Sequence, residues 1–151
     1  MILRTQRSGF TLVELIIVII ILAILAVLAV PQFTSSTTDA KRATLQANLG
    51  MLQKAIQYYK VEHDQRYPTA RIAEQLTQYT KVNGQASPTK SPPYKFGPYL
   101  IKIPENPMAT GSVDSDGITV EDDSDPLEID SSPTTGWKYN ETTGEIIPNV
   151  L

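Results

Sequence analysis

The sequence predicts an α+β chain in which one long N-terminal helix packs on a small antiparallel sheet of three or four strands. Three observations predict it. Residues 15–30 carry no charge and extend the stretch begun at Phe10 into an apolar run of helical length. Leu45, Leu49, Leu52, Ile56 and Tyr59 then recur at alternating spacings of four and three, the single apolar stripe of an amphipathic helix. The last third of the chain is instead cut by glycine, proline and asparagine into short segments rich in β-branched and aromatic residues.

The first half of the helix is expected to cross a membrane. Residues 10–30 number 21, close to the ~20 that a helix needs to span a bilayer core. Arg4 and Arg7 precede this run and most of the chain follows it, so the excess of cations on the cytoplasmic side puts 1–9 inside the cell and the remainder outside. One residue is out of place. An ionised carboxylate deep in hydrocarbon costs ~2.5 to 3.5 kcal/mol, so Glu14 requires a partner, and 15–30 hold no cation. A cut after Gly9 would supply one, because Phe10 would then carry a free α-amine able to pair with Glu14 of the same chain or of a neighbour.

The string Gly9-Phe10-Thr11-Leu12-Val13-Glu14, with a short basic leader before it and an unbroken apolar run after it, resembles the class III signal of type IV pilins and of the pseudopilins of type II secretion. The resemblance implies a pilin fold and a leader, 1–9, removed by a membrane aspartic peptidase that cuts after Gly9 and N-methylates Phe10. It implies that Phe10, Glu14 and Pro31 act in assembly. It further implies a subunit held once through the bacterial inner membrane, handed to an assembly platform and stacked into a homo-oligomeric helical filament, periplasmic or extracellular. Met51 stands where the family often has a second helix proline, which affects helix curvature. The likeness covers about the first third of the chain. An ordinary secretory signal has a shorter apolar core without a glutamate, and a plain signal anchor leaves Glu14 unaccounted for.

Residues 31–62 form the amphipathic half of the helix. Pro31 removes one backbone hydrogen bond and favours a kink, and helix-prone sequence resumes from Asp39. Arg66-Tyr67-Pro68 ends the helix near Glu62, since the residue before a proline is driven out of helical space. The head then occupies 63–151. His63 is expected as a solvated cap in the helix's last turn, where the dipole favours a cation. Residues 72–79 read as a second short helix, 81–98 as loop, and 99–103, 118–120, 137–139 and 145–147 as strands. Asn140-Glu141-Thr142-Thr143-Gly144 reads as a hairpin loop with glycine at its positive-φ position.

The chain has no cysteine, so neither disulfides nor thiol chemistry are available. Many type IV pilins close a C-terminal loop with a disulfide, and its absence favours a pseudopilin by resemblance. Gly97-Pro98-Tyr99-Leu100 with Ile103-Pro104-Glu105-Asn106-Pro107 also resembles, more weakly, a segment of the major pseudopilin, although Met108 stands where an aromatic residue is frequent. Catalysis finds little footing: His63 is the sole histidine and no nucleophile elbow is present. Trp137 and the tyrosines read as core and interface, and without a basic face no nucleic-acid partner is expected.

Charge divides along the chain. Residues 1–110 sum to +6 and 111–151 to −9, which gives the net −3. The acidic region supplies the candidate metal ligands, Asp114, Asp116, Asp122, Asp123 and Asp125, because carboxylates on a glycine-containing loop suit Ca²⁺. The spacing does not match an EF-hand loop. Calcium near the C-terminus is frequent in major pseudopilins, and the resemblance implies it here; a solvated acidic loop is the alternative. No cofactor is otherwise required. The chain is thus read as a non-enzymatic filament subunit, first a type II secretion pseudopilin, then a type IV pilin; the reading from another class is a membrane-anchored extracytoplasmic domain that binds through its acidic loop.

Overall fold

The computed structural model describes residues 9–151 apart from Ser124, and for 27–36 the backbone alone. The leader positions Arg4 and Arg7 and the side chain of Pro31 therefore lie outside the described residues. The chain divides after Ala40 into two units. Helix α1, Leu12–Glu62, begins in the first and ends in the second, and its backbone stays helical through Pro31.

In the first unit the described side chains of α1 are exposed on every side. Leu12 to Leu25 present large apolar groups around the whole circumference, the pattern of a helix meant for lipid or for neighbouring helices. Among the described residues no helix is long and apolar enough to cross a membrane.

In the second unit the expected stripe is the core. Leu45, Leu52, Ile56 and Tyr59 are buried with Ala55, and Leu49 packs at their margin. Burial of each large apolar side chain contributes ~1.5 to 3 kcal/mol. The helix stops by a Schellman-type turn: Asp64 and Gln65 take φ of 54° and 62°, and Gln65 N–H donates to the Lys60 carbonyl at 3.0 Å. Helix α2, Ile72–Thr77, adds Ile72 and Leu76 to the core.

Two expectations about this part are corrected. Tyr79 leaves α2 because Gln78 is already extended (ψ 173°), and Tyr79–Thr80 (β1) pairs antiparallel with Ala86–Ser87 (β2). Residues 81–98 are therefore not wholly loop: Gly84, at φ 81°, closes this hairpin. Asn83-Gly84 is the turn signal that marks it in the sequence.

The main sheet has three strands, Asp114–Glu121 (β3), Thr135–Asn140 (β4) and Ile146–Pro148 (β5), in the order β3-β4-β5. It is mixed, not antiparallel. β4 and β5 form the expected hairpin, with Gly144 at φ 76°, but β3 runs parallel to β4, Ile118 opposite Trp137 and Val120 opposite Tyr139. Parallel neighbours need a crossover of a dozen or more residues, and 122–134 provide it, with no helix among the described residues. Residues 99–103 form no strand; they are a bend that sends Leu100 and Ile103 into the core. Trp137, Tyr139 and Ile146 face that core, with Trp137 Nε1 donating to the Pro104 carbonyl (2.7 Å) and Tyr139 Oη to the Pro68 carbonyl (2.9 Å).

Candidate functional site

At the N-terminal end, Thr11 and Glu14 form a capping box. Glu14 Oε2 accepts from the Thr11 amide at 2.8 Å and from its hydroxyl at 2.9 Å, while the Glu14 amide donates to Thr11 Oγ1 at 3.2 Å. Each residue thus satisfies an amide that the start of α1 leaves open. Gly9 and Phe10 precede the helix outside regular structure, and Phe10 is 84% exposed. The carboxylate that hydropathy makes costly already has a local partner. The T-x-x-E spacing of Thr11-Leu12-Val13-Glu14 is the sequence signal for Thr11, which charge considerations alone pass over.

The candidate metal ligands do not converge. Asp114 and Asp116 stand at the start of β3, and Asp122, Asp123 and Asp125 lie beyond its end. At ~3.3 Å per residue, Asp116 and Asp122 are separated by roughly 15 to 20 Å of strand. Among the described residues no group of three or more His, Cys, Asp or Glu side chains could hold a metal ion.

What the acidic region surrounds is a lysine. Lys138 is only 6% exposed, and its side chain leaves β4 on the face opposite Trp137 and Tyr139. Its Nζ lies 2.7 Å from Glu121 Oε1 and 2.8 Å from Asp130 Oδ1, and donates to the Glu128 carbonyl at 3.0 Å. Asn149, fully buried, completes the arrangement: its Nδ2 donates to Asp130 Oδ2, and its Oδ1 accepts from the Asp130 amide, both at 2.9 Å. The hydrogen bonds from Lys138 and then Asn149 hold the Asp130 carboxyl below the usual range, and those to Asp130 and then Glu121 raise the Lys138 ammonium. Asn140 ties down the far end, its Nδ2 donating to the Asp123 carbonyl at 2.7 Å.

Residues 4–30 match the family model described as the prokaryotic N-terminal methylation motif. The match covers Gly9, Phe10 and Glu14 and supports a type IV pilin-like class III signal. It implies processing by a prepilin peptidase and filament assembly in general terms, a structural rather than an enzymatic class, and a membrane-anchored or extracellular setting. No curated protein and no solved structure gives a significant match to the chain.

His63 corrects another expectation. It is buried, 1% exposed, with Nδ1 donating to the Tyr59 carbonyl at 2.8 Å and Nε2 sharing a hydrogen bond with Thr80 Oγ1 at 2.9 Å. Both ring nitrogens are committed to holding β1 against the end of α1. The signal for this was the four-residue spacing from Tyr59, which extends the apolar stripe by one turn.

Proposed function

We propose that this chain is a structural subunit of a type IV pilus-like filament, and specifically a pseudopilin of the type II secretion system. It is cut after Gly9, methylated at Phe10, held in the inner membrane by 10–30, and then passed to an assembly platform that stacks it helix to helix. The Phe10 amine and the Glu14 carboxylate of neighbouring subunits set the register, because an unpaired charge in an apolar filament core is penalised. Pro31 is the third assembly position, where α1 leaves the apolar run.

The observation that carries this reading is the methylation-motif match over 4–30, with its glutamate at the opening of α1. The apolar surface displayed around Leu12 to Leu25 supports it, since such a surface calls for lipid or for other helices. The lack of cysteine and the segment around Gly97-Pro98 and Pro104-Glu105-Asn106-Pro107 favour a pseudopilin over a pilin.

Intact mass of the chain extracted from membranes tests the pathway. A species that starts at Phe10 and is heavier by one methyl group is expected; one that starts at Met1 would remove the filament reading. Deleting the gene then separates the two machines. A pseudopilin deletion abolishes export of secreted enzymes and leaves surface pili intact, whereas a pilin deletion removes the pili.

A further inference from the structure

Among its described residues the crossover 122–134 has no helix to pack against the sheet, and polar side chains tie it down at Asp123 and Asp130. It is also self-repelling. Residues 114–130 carry eight carboxylates and no cation, and Lys138 is the sole Lys or Arg after Lys102. A segment of this composition needs a counter-charge to fold onto a sheet. The five aspartates read from the sequence as calcium ligands are split between the two ends of β3, and the oxygens that do converge are Glu121 Oε1, Glu128 O and Asp130 Oδ1, around Nζ of Lys138.

We propose that the Lys138 ammonium is the resident cation of the acidic segment, so that Glu121 and 125–130 fold onto the outer face of the sheet without a divalent metal. The fit is stoichiometric. An ammonium has three N–H donors and no acceptor, and it meets three oxygens at 2.7 to 3.0 Å. Calcium would require six to eight oxygens at ~2.3 to 2.6 Å, and those nearest to one another here are already engaged. The lysine stem fills the space below them, since the side chain as a whole is buried. Asn149 grips both the amide and the second carboxylate oxygen of Asp130, which fixes that carboxylate toward Lys138. Asp122, Asp123, Asp125 and Glu128 remain at the surface and keep the outer side of the segment negative.

The test uses the full chain in detergent micelles, with fluorescence of buried Trp137 reporting unfolding. The thermal midpoint of the wild-type chain is expected to be the same in millimolar calcium chloride as in excess chelator. A metal site filled to a hundredfold over its Kd would raise it by on the order of 10 °C, and such a rise would overturn the proposal. Digestion with a glutamyl endopeptidase, in chelator throughout, supplies the second measurement. Cleavage after Glu121 and Glu128 is expected to be roughly tenfold or more faster in Lys138→Met, which keeps the apolar stem and removes the charge. A variant as resistant as wild type would equally overturn the proposal. Should Lys138→Met fail to accumulate, Asp130→Asn takes its place in the digestion with the same expected direction.

Discussion

Tyr59 and His63 stack one turn apart at the end of α1, their ring centroids 3.7 Å apart and their planes within 3° of parallel. The stack is closed from outside by Thr80 of β1, whose buried hydroxyl meets His63 Nε2. A stacked pair contributes ~0.5 to 1.5 kcal/mol beyond area burial, whereas a buried polar group left without a partner costs ~1 to 3 kcal/mol. The hydrogen bonds should therefore outweigh the stacking. His63→Ala is expected to destabilise the head by ~2 to 4 kcal/mol, and His63→Phe, which restores the ring alone, to recover less than half of that. Urea midpoints followed by Trp137 fluorescence measure both; full recovery by phenylalanine would show that ring packing dominates.

The Asp130–Lys138 pair sets a window of pH over which the head is most stable. Asp130 is held below its ordinary 3.8, so its contribution is present above that value and is lost as pH falls through the lower, folded-state value. Lys138 is raised above its ordinary 10.5, so its contribution is present below that value and is lost as pH rises through the higher one. Stability from this pair is thus level between about 4 and about 10 and declines at both ends. Asp130→Asn should lower the plateau and flatten the acid limb, because the group whose protonation matters there is gone. Denaturation midpoints across pH show this, and an unchanged acid limb would assign it to other carboxylates.

How much of this was legible in the sequence depended on the range of the interaction concerned. The stripe from Leu45 to Tyr59 and the Gly144 hairpin are local patterns, periodicity in one case and turn chemistry in the other, and both appear where they were read. The parallel pairing of β3 and β4 is non-local. Segments 118–120 and 137–139 read as strands from local composition, but their relative direction is decided by the path of the chain between them, which no local pattern encodes. Lys138 was invisible for the same reason. An isolated lysine in a strand reads as solvent-facing until the crossover is known to lie above it. Asp114 and Asp116 are near Asp122, Asp123 and Asp125 in sequence but not in space, because the extended strand β3 separates what it joins.

Thr11 and Glu14 make a separable pair at the other end of the chain. Thr11→Ala keeps the Thr11 amide bond to Glu14 and loses only the hydroxyl bonds, a loss of ~1 kcal/mol or less at an exposed helix start. It is expected to be processed and to assemble nearly as wild type. Glu14→Ala is expected to be cut and inserted normally but to yield little filament, because the charge that pairs with a neighbouring Phe10 amine has been removed. The yield of sheared filament decides between the roles. If Thr11→Ala fails as badly as Glu14→Ala, the glutamate acts through the capping box; if both assemble normally, the pairing argument falls.

Gly144 and Gly111 share a left-handed backbone, at φ 76° and 69°, but differ in what surrounds them. A Cβ on Gly111 would meet open space, so Gly111→Ala should cost only the backbone strain, ~1 to 2 kcal/mol. A Cβ on Gly144 would overlap the ring of Tyr67. That ring cannot step aside freely, since Lys60 Nζ donates to its hydroxyl at 2.8 Å and lies 4.3 Å from its centroid. Displacing it breaks the link between α1 and the β4–β5 hairpin, and overpacking of this kind adds ~1 to 3 kcal/mol. Gly144→Ala is therefore expected to be the more destabilising by that margin in urea unfolding. Gly144→Ala combined with Tyr67→Ala should bring the cost of the glycine change back to the Gly111 value, because the second substitution removes the obstacle and leaves the strain. A glycine cost that stays high without the ring would place the constraint in the hairpin backbone, where Asn140 accepts from the Thr142 and Thr143 amides and Gly144 N–H donates to the Asn140 carbonyl.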